Sequence, residues 1–263
     1  MEIKKYIIIR RFNEANNIKE LIAQILHLYR DFYIVVVDEN HPNGSGHISE
    51  LVTSFNKRVH VLGRSEKSGF GSTLIDGYKY SISMGADVIF QMDGDLSHRL
   101  EYIKVMLKAL KKSDLVIGSR YLDGVRVEGW RFSRLLKSKL ANVLIARMTM
   151  IPLWDFTSGF RCYKRKVIES IRLDTLTTEG DAYQVEMAIR AYQNNFIVTE
   201  IPIIFYDNKY SHSKISRNNF FTALRISIKN HAPVLKILKC LFLNPSDTGK
   251  YFNQIKSMDR QVR

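Results

Sequence analysis

Residues 88–98, VIFQMDGDLSH, decide the fold: an apolar run is closed by two aspartates that flank one glycine. Residues 88–91 read as a buried strand, and Asp93 and Asp95 follow directly at its carboxyl end. An Asp-x-Asp pair is a common accident in surface loops, so its place at a strand end carries the weight. Two carboxylates so spaced suit a hard cation, Mg²⁺ or Mn²⁺, which takes oxygen ligands and shares them with substrate phosphates.

On either side, short β-rich runs alternate with helical patterns. Residues 6–9, 33–37, 59–62 and 115–118 read as further strands. Asn13 is placed to cap a helix whose apolar face is Ile18, Leu21, Ile22, Ile25 and Leu26, and more helices are expected over 72–84 and 100–110. This alternation implies βαβ units, a mostly parallel sheet flanked by helices, and ligands beyond the carboxyl ends of the strands. Polar residues gather there: Asp38 and Glu39, Arg64, Asp93 and Asp95, and Ser119 and Arg120 each follow a strand. Residues 64–71, with two glycines and two cations between a strand and a helix, suit a phosphate cradle as well as an ordinary glycine-rich turn.

Beyond Tyr121 come a basic helix over 131–150, a β-rich patch over 160–163, a helix over 181–193 and a strand over 196–205. A loop rich in Ser, Lys and Asn then leads to a last helix from about residue 220. No repeat and no long linker appears, so one α/β domain over 1–215 with a helical extension over 216–263 is expected.

The 263 residues include 40 Lys and Arg against 26 Asp and Glu, a formal charge of +14 that favours polyanions: nucleic acid, anionic bilayers or phosphorylated substrates. No helix-turn-helix, zinc-finger or RNA-binding aromatic motif supports nucleic acid. Cys162 and Cys240 lack metal-ligand spacing and do not form a secreted disulfide framework, which fits a reducing cytoplasm. The start reads as a strand rather than an export signal. Residues 233–243 are apolar but interrupted by Lys236 and Lys239, about half a membrane span; such a helix either lies in the bilayer interface or packs on the domain.

Six ordered motifs carry a family resemblance: Asn13-Glu14; Asp38-Glu39 with His41-Pro42-Asn43-Gly44; Lys67-x-Gly69-x-Gly71; Asp93-x-Asp95-x-Ser97-His98; Gly118-Ser119-Arg120-Tyr121; and Thr157-Ser158-Gly159-Phe160-Arg161. Tyr183-Gln184-x-Glu186, Glu200-Ile201-Pro202 and Ser213-Lys214 follow. The chain resembles the dolichol-phosphate mannosyltransferase and polyprenyl-phosphate glycosyltransferase family over about residues 5–215. The resemblance implies a GT-A (Rossmann-like) fold and an inverting, metal-dependent transfer of a mannose- or glucose-type hexose from a GDP- or UDP-sugar to a polyprenyl phosphate. By motif position it implies that Phe12, Glu14, Asp38, Glu39, Lys67, Gly71, Asp93 and Lys214 bind the nucleotide-sugar. Asp93, Asp95 and Ser97 would hold the metal, and Arg120, Arg131, Arg134 and Ser138 would receive the lipid phosphate. Asp95, Arg120 and Arg131 are then the expected catalytic set.

Acceptor chemistry agrees. A phosphate monoester is already anionic and needs cations to position it, whereas a hydroxyl needs a base. Asp181 stands where hydroxyl-directed relatives place that base, which keeps transfer to a sugar hydroxyl as an alternative; a non-catalytic nucleotide-sugar binder is another. Arg10-Arg11-Phe12 stands in place of the family's Pro-x-Tyr, and Glu39 in place of a second aspartate, so the choice between guanine and uracil stays open. His41 and His98 are read as hydrogen-bonding loop histidines rather than metal ligands. Packing is the expectation for Trp130 and Trp154. The chain is expected at the cytoplasmic membrane face, reached by its basic surface, its last helix or a small membrane-protein partner.

Overall fold

The computed structural model describes residues 3–11, 15–38, 57–63, 70–176 and 181–207. Strands β1 (Lys5–Arg11), β2 (Phe32–Asp38), β3 (Val59–Gly63), β4 (Val88–Asp93), β5 (Leu115–Ser119), β7 (Arg161–Lys164) and β8 (Val198–Pro202) form a seven-stranded sheet in the order β3-β2-β1-β4-β7-β5-β8. β6 (Val127–Glu128) and β9 (Phe205–Tyr206) make a small second sheet. Every pairing in the large sheet is parallel except those of β7, which runs antiparallel to β4 and β5. The sequence pattern does not show that insertion.

Side chains of β1 alternate: Ile7 and Ile9 enter one core, Tyr6 and Ile8 the other. The first core is closed by α1 (Ala15–Leu28), through Ile18, Leu21, Ile22 and Ile25, and by α3 (Tyr102–Leu110), through Ile103, Met106 and Leu110. The second is closed by α2 (Phe70–Ser83), α5 (Arg165–Ser170) and α6 (Asp181–Gln193). The three- and four-residue spacing of α1, α2 and α3 brings one stripe of each onto the sheet, whereas α6 is buried on nearly every side from Ala182 to Ile189. The result is the three-layer GT-A-like α/β architecture, with the carboxyl ends of β1, β2, β4 and β5 on one edge. The cap residue Asn13, the loop residue Arg64 and the extension over 216–263 lie outside the described residues.

The basic helix is α4 (Phe132–Thr149), flanked by Arg131 in extended backbone and by Met150 in the left-handed region at φ 56°. Its buried residues are Ser138, Asn142, Ile145 and Thr149. Instead of one strand over 196–205, the chain forms β8 and β9 with a break at Ile203 and Ile204. Among the described residues no helix is long and apolar enough to cross a membrane.

Candidate active site

β4 delivers Asp93 to the sheet edge, and the chain then turns sharply. A Cβ on Gly94 would stand 3.1 Å from the Arg10 carbonyl oxygen and 3.3 Å from Ile18 Cγ1, tighter than side chains normally meet, so glycine suits the turn beside β1. Leu96 has φ 62°, an uncommon conformation for a bulky residue, of the kind found where a site over-determines the backbone. The turn brings the Ser97 amide (3.0 Å) and hydroxyl back to donate to Asp95 Oδ1.

Asp95 is 8% exposed, and burial, reinforced by the charge of Asp93, raises its pKa above the usual carboxylate value; His98 and Ser97 offset part of this. His98 is buried, stacked on Phe160 at 4.8 Å and edge-on to Phe205 at 5.6 Å. Burial lowers its pKa against the pull of Asp93 and Asp95, so it is a neutral ring whose Nδ1 accepts from the Asp93 amide at 3.4 Å. Arg10 Nη2 lies 3.6 Å from Asp93 Oδ1. On the other side, a Cβ on Gly159 would meet Asp93 Oδ2 at 3.3 Å, so the glycine keeps that oxygen approachable. Two neighbouring acids, one buried with its charged form disfavoured, make a donor set that a divalent cation fits. Among the described residues no group of three or more acids, His or Cys is placed to hold a metal, so the pair would need oxygens from a bound diphosphate to complete the shell.

A cationic wall stands across His98 and Phe205. Arg120, 9% exposed at its side chain, is locked on the fully buried Asp155: its amide and Nε donate to Oδ2 at 3.0 and 2.7 Å, and Nη2 to Oδ1 at 2.8 Å. Its Nη2 also donates to Thr157 Oγ1 at 2.7 Å. Burial would raise the Asp155 pKa, but the charge and hydrogen bonds of Arg120 outweigh it and hold the carboxyl below its usual value. The guanidinium lies 5.3 Å from the Trp130 ring and 5.8 Å from Phe205; Arg134 covers Trp130 at 4.1 Å and donates to both Asp207 oxygens at 3.1 Å.

Three comparisons bear on this geometry. The model for glycosyl transferase family 2 matches residues 6–172. The chain belongs to glycosyl transferase family 2. It is a glycosyltransferase. It is 34% identical over 220 residues to polyprenol monophosphomannose synthase of Mycolicibacterium smegmatis, covering 83% of each chain. It is 31% identical over 209 residues to undecaprenyl-phosphate mannosyltransferase of Micrococcus luteus, covering 80% of this chain and 86% of that one. Among solved structures it is similar to glucosyl-3-phosphoglycerate synthase of Mycobacterium tuberculosis in complex with Mn²⁺, uridine-diphosphate and phosphoglyceric acid. That likeness has a TM-score of 0.62 at 14% identity and covers 86% of this chain and 78% of that one, which speaks for the fold alone.

Within this family 2 frame, the structure brings Asp93, Asp95, Ser97, Arg120 and Arg134 to one edge. Ser97 enters as a donor to Asp95. Arg131 is exposed just before α4. Ser138 is buried, with its hydroxyl accepting from Tyr121 at 2.7 Å, so it fixes α4 against the Arg120 segment. Gly71 is buried in the first turn of α2. Phe12, Glu14, Glu39, Lys67, Lys214 and His41 lie outside the described residues; of Asp38, the end of β2, and Asp181, the start of α6, only the backbone is described. Trp130 packs between two arginines, whereas Trp154, for which packing is the sequence expectation, is 58% exposed. Sequence reasoning assigns no role to Asp155, Gly159 or Asp207. The only signal for Asp155 was its place two residues before Thr157-Ser158-Gly159.

Proposed function

We propose that this glycosyltransferase moves a hexose, mannose before glucose, from a GDP- or UDP-sugar to a polyprenyl phosphate at the cytoplasmic membrane face, with Mg²⁺ or Mn²⁺ bound. The observation that carries the reading is the pairing of an acidic corner, Asp93 and Asp95, with a wall of arginines only one aromatic layer away. The activities for which the two relatives are named support the acceptor and the mannose. When bound, the cation would neutralise the diphosphate; Asp93 and Asp95 would hold it, with Ser97 fixing the Asp95 carboxylate. Asp38, Glu39, Glu14 and Phe12 are assigned to the nucleoside, and Lys67, Gly71 and Lys214 to the diphosphate.

Arg131 and Arg134, backed by Arg120, would place the acceptor phosphate. A phosphate oxygen forms the new bond to the anomeric carbon while the bond from that carbon to the diphosphate oxygen breaks, and the nucleoside diphosphate leaves. No base is required, since the attacking oxygen is already ionised. The test is transfer of radiolabelled sugar from GDP-mannose, GDP-glucose and their UDP counterparts to polyprenyl phosphate with Mg²⁺ or Mn²⁺. Labelled lipid from the wild type and none from Asp95→Ala is expected. Absence of labelled lipid with every donor, or full turnover by Asp95→Ala, defeats the proposal.

A further inference from the structure

Helix α4 is built inside out. The stripe it turns to the core is mostly polar: Asn142 donates to the Ser138 carbonyl at 2.9 Å and accepts from the Phe156 amide at 2.7 Å, and the Thr149 hydroxyl donates to the Ile145 carbonyl at 2.8 Å. Its outer stripe is apolar. Phe132 (76% exposed), Leu136 (46%), Leu140 (52%), Val143 (39%), Leu144 (44%) and the capping Met150 (77%) all face outward. At about 100° per residue these positions cover an arc of roughly 120°. A solvent-facing helix has the opposite arrangement, so the exposed row requires an occupant.

Charge selects the occupant. Between Phe132 and Thr149 the helix carries Arg134, Lys137, Lys139 and Arg147 and no acidic residue. Lys137, Lys139 and Arg147 are exposed beside or within the apolar arc. A second copy would set cations against cations. Residues 208–263 of this chain, with eleven Lys and Arg against two Asp, would do the same. An anionic lipid surface answers both the apolar row and its cationic margins, as leucines enter the interface and lysines snorkel to headgroups.

We infer that α4 is the membrane-docking element, lying in the plane of an anionic bilayer with its Phe132–Leu144 face embedded. The helix begins beside Arg131 and Trp130, so this pose sets the arginine wall at headgroup level. The inference gives the proposed lipid acceptor its route to the site, and in its purpose it rests on that reading.

The test uses the full chain and vesicles of phosphatidylcholine and phosphatidylglycerol that hold no prenyl phosphate. The triple variant Leu136→Ser, Leu140→Ser, Leu144→Ser, checked for unchanged thermal unfolding, is expected to lose roughly tenfold or more of its vesicle partitioning. It should still use a short-chain, water-soluble prenyl phosphate as the wild type does. An environment-sensitive dye on Leu140→Cys, in a Cys240→Ser background, should shift to the blue only when vesicles are added. Undiminished partitioning by the triple variant overturns the inference. So does a dye already in an apolar setting without vesicles, the mark of cover by the rest of the chain. Self-association of the wild type that the triple variant abolishes also overturns it, by pointing to a second copy. If no prenyl phosphate is glycosylated yet vesicle partitioning still depends on these leucines, the acceptor reading falls and the docking surface stands.

Discussion

Replacing Asp155 by alanine isolates the contact that holds the cationic wall in place. The side chain is fully buried and accepts three hydrogen bonds from Arg120, with two longer ones of 3.2 Å from the amide and hydroxyl of Thr157. Alanine takes the Asp155 carboxylate away from a nearly buried guanidinium, which costs on the order of 3–5 kcal/mol. With a urea slope of about 3 kcal/mol/M, the unfolding midpoint should fall by roughly 1 M or more. The double variant Arg120→Met, Asp155→Leu removes both charges and should recover most of that loss while turnover remains low. Acid gives a second check on the same pair. The Asp155 pKa is depressed, so its stabilisation is present above the ordinary value of 3.8 and disappears as pH falls through the lower folded value. The gap between wild type and Asp155→Ala should therefore narrow below about pH 4. A midpoint shift under about 0.3 M, or a double variant no more stable than the single one, would refute the idea that this ion pair holds the wall.

Three further outcomes follow from close contacts. Gly159→Ala places a methyl 3.3 Å from Asp93 Oδ2 and should weaken Mn²⁺ binding by roughly tenfold, read by calorimetry, with little change in melting temperature. Gly77→Ala in α2 brings a Cβ to 2.7 Å from Ile8 Cγ2 on β1; crowding of about 1–3 kcal/mol should outweigh the helix-propensity gain of about 1 kcal/mol, giving a less stable enzyme in urea. Arg10→Gln removes the cation 3.6 Å from Asp93 and should tighten Mn²⁺ binding several-fold; weaker binding would mean that Arg10 orients the carboxylate rather than competing with the metal.

Strand positions were legible because apolar residues rich in Ile, Val, Leu and Tyr cluster in short runs: 6–9 and 115–118 sit inside β1 and β5, and the Ile18–Ile25 face of α1 is buried as its spacing requires. Residues 181–193 coincide with α6. The direction of β7 was not legible. Arg161 to Lys164 carries no mark of polarity, and its neighbours are fixed by pairing with residues far away in sequence. At the site, the two aspartates stood out through their place after a strand. Asp155 did not, because an acid in a loop between helix and strand looks like any solvated residue until Arg120 is brought to it across 35 positions. The inverted polarity of α4 is not legible in sequence for a related reason: only the structure shows which of its stripes meets the core.

The reversed strand has an evolutionary consequence. Since β7 runs back between β4 and β5, its first residue lies at the edge where both neighbours end, Arg161 pairing with Gln91 and Ile117. The excursion from Arg120 through α4 to Phe160 therefore departs and returns at one rim of the sheet and takes no place in its seven-strand register, although β6 within it pairs with β9 and Ile145, Ile151, Leu153 and Phe156 pack in the core. Between those buried contacts its exposed stretches can be lengthened or recharged while the aspartate corner keeps its backbone. If the segment receives the acceptor as proposed, one scaffold can be re-addressed to new recipients by rewriting a single contiguous stretch of the gene.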